Sequence, residues 1–346
     1  MLNIGLEFMK EYSVFGMGAA LVDTQIRLNE QKLKDMDVEK GVMTLVDEAR
    51  QGELLEQLSG NLLEAKHESG GSAGNSMIAA SGLGSKTFMC CKVSDDQDGD
   101  IYISDLDRCG VSHNLKNNRT SNEATGKCLV LITPDAERSM STFLGVSETL
   151  SSQQLDYEVI LNSEYVYLEG YLVTSPTCKE AAVQLRTYAE ENGIKTALSF
   201  SDPGIASFFR DGILEIIGEK IDLIFCNEDE ALSWANTDKL EDALSEIKKI
   251  TKTFVVTLGS KGAITFDGKI QNQISPENVE AIDTNGAGDM FAGAFLHAIT
   301  RGESYLEAGK FANFAASKIV QHFGPRLPFE EYSAIKEEFY NKSSTN

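Results

Sequence analysis

The stretch AIDTNGAGDMFAGAFLHAIT, residues 281–300, sets small residues between two aspartates and follows them with an apolar run. Gly286, Ala287 and Gly288 directly ahead of a helix would leave backbone N–H groups bare and pointing one way. The helix macrodipole would add partial positive charge at the same place. Together these make an anion site, most often for phosphate. Binding alone does not account for Asp289, because its charge would repel the anion. It makes sense as a general base that takes a proton from a hydroxyl, which then attacks phosphorus. The stretch by itself is equally compatible with an acidic side chain that only complements a helix N-terminus.

Other phosphate patterns are missing. G-x-x-x-x-G-K-[ST] does not occur, and GLGSKT (82–87) has Ser85 where its second glycine should be. G-x-G-x-x-G, H-R-D and D-F-G are absent as well. Phosphoryl chemistry here therefore needs another scaffold.

The elements that would position these residues are legible in outline. YSVFGMG (12–18) is a buried strand by pattern, and short strands are expected around 24–28 and 42–46. GGSAGNSMIAASGLGS (70–85) predicts a glycine turn and a helix capped by Asn75 or Ser76. TFMCCKVS reads as a strand, and KCLVLITP with RSMSTFLG as a hairpin turning at PDAE. YEVILNSEYVYLEGYL supplies strand material. From there strands and helices alternate: a helix over SPTCKEAAVQLRTYAEENG, a strand at KTALSFS, a helix at GILEIIGEK and a strand at IDLIFCN. EDEALSWA and LEDALSEIKKI then predict helices, and TFVVTLG another strand. Such alternation argues a parallel sheet covered on both faces, with the early strands in a small separate sheet.

The 346 residues suffice for one large domain, and an apolar share of 42% is that of a soluble globular protein. No stretch approaches the roughly 18 apolar residues of a membrane span, and the start lacks the signature of a signal peptide. A net charge of −22 repels nucleic acid and anionic membranes. None of the six cysteines forms a C-x-x-C pair, and the four histidines lack metal-ligand spacing. Free thiols in a cytoplasmic protein are the plain reading. Residues 1–8 are expected to extend outside the fold, and NKSSTN at the end to fray.

Five motifs in order carry a resemblance. DTNGAGDMFAGAFL resembles the second signature of the PfkB carbohydrate kinase family, and residues 70–99 resemble the first. NEDE (227–230), VVTLGSKGAI (255–264) and KFANFAASKIVQHFGPRLP (310–328) are similar to the family's N-x-x-E, nucleotide-loop and C-terminal helix segments. The match runs over nearly the whole chain from Tyr12. FGMGAALVD, SGGSAGN, ERSM and YLEGYL look most like the adenosine kinases of that family, the bacterial branch especially.

The resemblance implies a ribokinase-like three-layer α/β/α fold, a mostly parallel sheet with a small β-sheet lid. The lid would be drawn from about 24–50 and 113–146 of a single domain, 1–346. It implies ATP-dependent phosphorylation of a nucleoside's primary hydroxyl, adenosine to AMP, in purine salvage. The alternatives are a sugar kinase acting on ribose, fructose or 2-keto-3-deoxygluconate, and a non-catalytic nucleotide-binding module.

Residue by residue, it implies Asp289 as general base and Gly286, Ala287 and Gly288 as amide donors to the transferring group. Asp23, Gly70, Gly71 and Asn75 would hold the acceptor, Arg138 would clamp phosphate from the lid, and Tyr171 is a candidate to stack on a base. Asn227, Glu230, Thr257, Gly259, Gly262 and Asn313 would bind ATP, with Glu230 reaching Mg2+ through water. Asp283 would help hold a monovalent cation such as K+, or brace the turn. The implied partners are small molecules, not nucleic acid or membrane, and the chain a monomer or homodimer. Ala19 stands where the resembled kinases carry Asn, which removes a polar contact to the nucleoside.

Overall fold

The computed structural model describes residues 10–58, 66–121, 123–135 and 137–343. The extension expected at 1–8, Ala136 of the expected hairpin turn and the chain end at 344–346 lie outside them. In chain order the strands are β1 (Tyr12–Met17), β2 (Leu21–Arg27), β3 (Met43–Leu45), β4 (Lys66–Gly70), β5 (Thr87–Cys90), β6 (Gly126–Ile132) and β7 (Arg138–Phe143). They continue as β8 (Ser163–Glu169), β9 (Lys195–Ser199), β10 (Ile221–Asn227), β11 (Thr251–Thr257), β12 (Ala263–Phe266) and β13 (Gln271–Ile274).

Eight strands form the large sheet in the order β13-β12-β11-β10-β9-β8-β1-β5. The six from β11 to β5 run parallel, and β12 and β13 add an antiparallel edge. The parallel strands are mostly apolar through their buried middles because helices cover both faces. Alternate residues serve opposite layers. Val14, Tyr165, Tyr167, Leu223, Phe225 and Val255 pack with the helices Ser72–Gly82, Ala287–Thr300 and Tyr305–Ile319. Phe15, Val166, Leu168, Ile224, Phe254 and Val256 pack on the other side, with Pro176–Glu191, Arg210–Ile217, Glu228–Ala235 and Leu240–Ile250.

The second sheet has the order β3-β7-β6-β2-β4. Its hairpin is the one expected, with Ile132 opposite Arg138. It also contains β4, outside the segments that the sequence suggested, and β2 begins earlier, at Leu21. Two helices, Glu30–Asp35 and Glu48–Gln57, cover one face through Leu33 and Leu54. On the other face Cys128, Val130, Ile132 and Met140 pack with Phe323.

Two local expectations change. Tyr157–Leu161 is a helix, because the Asp156 side chain accepts from Val159 N and caps it. The helix Ser72–Gly82 starts ahead of Asn75 and Ser76, with Gly71 as its N-cap and no side-chain cap bond. Both predicted caps are thus inside the helix, which frees Asn75 for long-range contacts. All six cysteines are buried and free, and no described helix is long and apolar enough to cross a membrane.

Candidate active site

The loops after parallel strands gather at the sheet's C-terminal edge, where open α/β sheets place their ligands. Residues 283–286 lead into the helix Ala287–Thr300 there. Gly286 is its N-cap at φ 71°, and no side chain caps the helix. That φ favours glycine, and a Cβ on Gly286 would also collide with the Pro325 carbonyl. A Cβ on Gly288 would meet nothing within 4 Å. The space beside Gly288 is therefore open to an anion. Ala287 N already donates to the Thr284 carbonyl at 3.3 Å, so the expected trio of amide donors is partly engaged within the loop itself.

Asp283 is buried and braces this loop. Its Oδ1 accepts from Asn285 N at 2.9 Å and its Oδ2 from Gly324 N at 2.9 Å. Both oxygens are thus engaged by backbone donors, as the brace reading requires.

Asp289 lies in the helix's first turn, half-buried. Ser72 Oγ donates to its Oδ1 at 2.7 Å and Asn75 Nδ2 to its Oδ2 at 3.0 Å. Burial pushes its carboxyl above the usual range; the Ser72 and Asn75 bonds and the Arg138 charge act against that. A raised pKa makes a carboxylate a stronger base. Asn75 Oδ1, also buried, has no hydrogen-bond partner among the described residues.

Asp23 faces the same region from β2. Its side chain rests on Gly70, where a Cβ would collide with the carboxylate. A Cβ on Gly71 would strike the Ala19 carbonyl instead. Gly70 and Gly71, expected to hold the acceptor, thus have this chain's own groups as the nearest neighbours of any side chain placed there. Asp23 is 6% exposed, and among the described residues no protein donor reaches its carboxylate. Burial, opposed by Arg326 and reinforced by Asp289 and Glu68, raises its pKa to about 7.

Glu169, within YLEGYL, has a role that the sequence does not reveal. At the end of β8 it accepts from Ala19 N and Ala73 N, each at 2.8 Å. It therefore ties the loop after β1 to the start of the helix Ser72–Gly82. Burial raises it to about 7, against the pull of those two bonds. The signal in the sequence is an acid that closes the apolar run YVYL.

Arg138 opens β7 and reaches the 283–286 loop. It donates to Asn285 Oδ1 at 2.6 Å and to Thr284 Oγ1 at 3.2 Å, with Asp283 at 3.8 Å. The small sheet is thus fastened to the anion loop through one guanidinium.

On the other side of the site, Asn227 and Glu230 satisfy each other in a capping box at the end of β10. Asn227 N and Nδ2 donate to the two Glu230 oxygens at 3.0 and 2.8 Å. Burial pushes Glu230 up to about 8. Thr257 ends β11, and Gly259 and Gly262 bracket the turn into β12. Asn313 Nδ2 donates to the Ser275 carbonyl at 3.0 Å. Tyr171 packs against the core, and its hydroxyl donates to the Ser201 carbonyl at 3.2 Å. That bond anchors the ring beside Ser201, without showing a stacking role.

Residues 46–331 match the model of the pfkB family carbohydrate kinases. This chain belongs to the PfkB family. The kinase has the ribokinase-like α/β fold, with its large mixed sheet and smaller second sheet. It is 33% identical to a probable sugar kinase from Rhizobium etli CFN 42, with a TM-score of 0.90 over 96% of this chain and 99% of that one. With the adenosine kinase from Sinorhizobium meliloti it shares 31% identity and a TM-score of 0.88, over 95% and 99% of the two chains. Adenosine kinase of Saccharomyces cerevisiae is 29% identical over 345 residues, 92% of this chain and 98% of its own. As a PfkB kinase the protein is a phosphotransferase acting on a hydroxyl group, and the family implies ATP as donor.

Proposed function

We propose that this kinase transfers the γ-phosphoryl group of ATP to the primary hydroxyl of a nucleoside, with adenosine as acceptor and AMP as product, in cytoplasmic purine salvage. The observation that carries the chemistry is the Asp289 carboxylate, held by Ser72 and Asn75 at an uncapped helix N-terminus. The adenosine kinases among the relatives support the acceptor class.

Asp289 takes the proton of the acceptor hydroxyl. The freed oxygen pair forms the bond to the γ-phosphorus, and the bond to the β–γ bridging oxygen breaks, so ADP leaves with that electron pair. The N–H groups of Gly286 and Gly288 face the charge on the transferring group, and that of Ala287 joins them on leaving the Thr284 carbonyl. Arg138 adds a cation from the small sheet, which acts as a lid. Closure excludes water that would otherwise compete as acceptor.

Asp23 accepts hydrogen bonds from the sugar hydroxyls, and Asn75 Oδ1, on the side chain whose Nδ2 holds Asp289, offers another acceptor. ATP lies toward Asn227, Thr257, Gly259, Gly262 and Asn313. Both Glu230 oxygens already accept from Asn227, which fits contact with Mg2+ through water and not direct ligation. When bound, Mg2+ would neutralise phosphate charge.

A coupled assay with ATP, Mg2+ and a panel of nucleosides and sugars tests the reading. Adenosine should give the highest kcat/KM, and 2′-deoxyadenosine, which lacks one hydroxyl for Asp23, should be poorer. If ribose or fructose outran adenosine, the sugar-kinase reading would replace this one. Ala19 in place of Asn and the 33% identity to a probable sugar kinase favour that second reading.

A further inference from the structure

Arg326 received no role from the sequence, yet its side chain is only 6% exposed. A buried guanidinium is costly unless it is paired. Its Nη1 pairs with Asp105 Oδ2 at 2.7 Å, and Asp105 also accepts from Ser69 Oγ and Arg108. Ser69 directly precedes Gly70, the glycine on which the Asp23 carboxylate rests. Arg326 Nε, also buried, has no hydrogen-bond partner among the described residues. The same loop lays Pro325 against Gly286 and sends Gly324 N to Asp283. Arg326 thus stands where the acceptor side and the anion loop meet.

The groups facing Asp23 are mostly acidic. Glu68 is its register partner on β4, the Cys128 thiol is its partner on β6, and Asp289 acts on it from the helix Ala287–Thr300. Arg326 is the one cation among the described groups that acts on it.

We propose that Arg326 is a positioning residue whose charge keeps Asp23 ionised, so that Asp23 can accept the acceptor's hydroxyls. This rests on the reading of Asp23 as the acceptor's carboxylate. A protonated Asp23 would offer a donor and fewer lone pairs, and a hydroxyl bound to a neutral group is held less tightly than one bound to a charge. With its pKa already lifted to about 7, Asp23 sits near its titration point at working pH. Loss of the nearby cation moves that point up.

The test is adenosine binding without ATP, measured by calorimetry from pH 6 to 9.5 on wild type, Arg326→Met and Arg326→Lys. In wild type, affinity should fall as pH drops through about 7. In Arg326→Met the midpoint should rise by about one unit, weakening binding by up to roughly tenfold near pH 7 while leaving it within about threefold of wild type at pH 9.5. Arg326→Lys, which keeps the charge, should stay within about half a unit of wild type. Equal weakening at every pH would mean a merely structural role, and an unmoved midpoint would mean none; either overturns the proposal.

If Arg326→Met does not fold, Asp105→Asn gives a second measurement. With its partner neutral, the Arg326 charge is less offset beside Asp23, and the midpoint should fall below wild type. A midpoint unmoved or higher overturns the proposal. Asp23→Asn separates the two levels. If it leaves adenosine affinity unchanged at pH 8, the reading of Asp23 fails first. If it weakens binding while Arg326→Met leaves the midpoint in place, only the role of Arg326 fails.

Discussion

Asp289 combines a raised pKa with two fixed hydrogen bonds, so its oxygens are held at one place and its basicity is increased. Asp289→Asn keeps the shape and removes the base. We expect kcat to fall roughly 10²- to 10⁴-fold, the range of general-base contributions, with ATP affinity nearly intact. Retention of more than half of wild-type kcat would remove Asp289 from the role of base. Gly288 tests the amide site separately. Its added Cβ would lie in open space, so Gly288→Val should melt near the wild-type temperature. The valine would stand over the first-turn N–H groups, where donors must approach the moving phosphoryl group. Turnover should therefore drop while the melt hardly moves, and a collapsed melt would mark the glycine as purely structural.

The connections between elements matter as much as the residues on them. Glu169 joins the loop after β1, which leads to Asp23, to the helix that carries Ser72 and Asn75. Glu169→Ala would leave two backbone N–H groups without their acceptor. Hydrogen bonds to a charged group contribute about 1.5–3 kcal/mol each, less whatever water recovers. The substitution should lower the urea midpoint measurably and weaken adenosine binding more than ATP binding, since the acceptor side loses its tie. An unchanged midpoint would show that the loop and helix are held by packing alone. Arg138 plays the matching part for the lid, from β7 to Asn285 and Thr284.

For the whole molecule, the acids raised by burial set a pH dependence. Asp23 and Glu169 are lifted to about 7 and Glu230 to about 8. In the unfolded chain these groups lose their protons near pH 4. Between about pH 4 and 8 the folded state therefore binds more protons, and its stability falls as pH rises. Self-repulsion from a net charge of −22 acts in the same direction. Thermal melts without ligand should show a higher Tm at pH 6 than at pH 8, and adenosine should narrow the gap by offering hydrogen bonds to ionised Asp23. A Tm that rose from pH 6 to 8 would mean that these carboxyls are solvated in the folded protein.

The amino-acid sequence by itself determined the features that depend on near neighbours. The parallel strands β8 to β11 and most of the helices between them follow from short apolar periods and from caps such as Asn227 and Glu230. The glycine-rich entry to the helix Ala287–Thr300 is local in the same sense, as is the β6–β7 hairpin. Asp23 and Asp289 could be singled out because their motifs are contiguous. Only the tertiary structure decided what surrounds them. Ser72 and Asn75 reach Asp289 from more than 200 positions away, and Arg326 reaches the surroundings of Asp23 from the far end of the chain. Glu169 lies 150 positions from Ala19. Burial and the charges packed around a carboxyl set its pKa, and neither is a property of adjacent residues. For the same reason Asn75 reads as a helix cap in isolation and becomes a partner of Asp289 once two distant helices pack together.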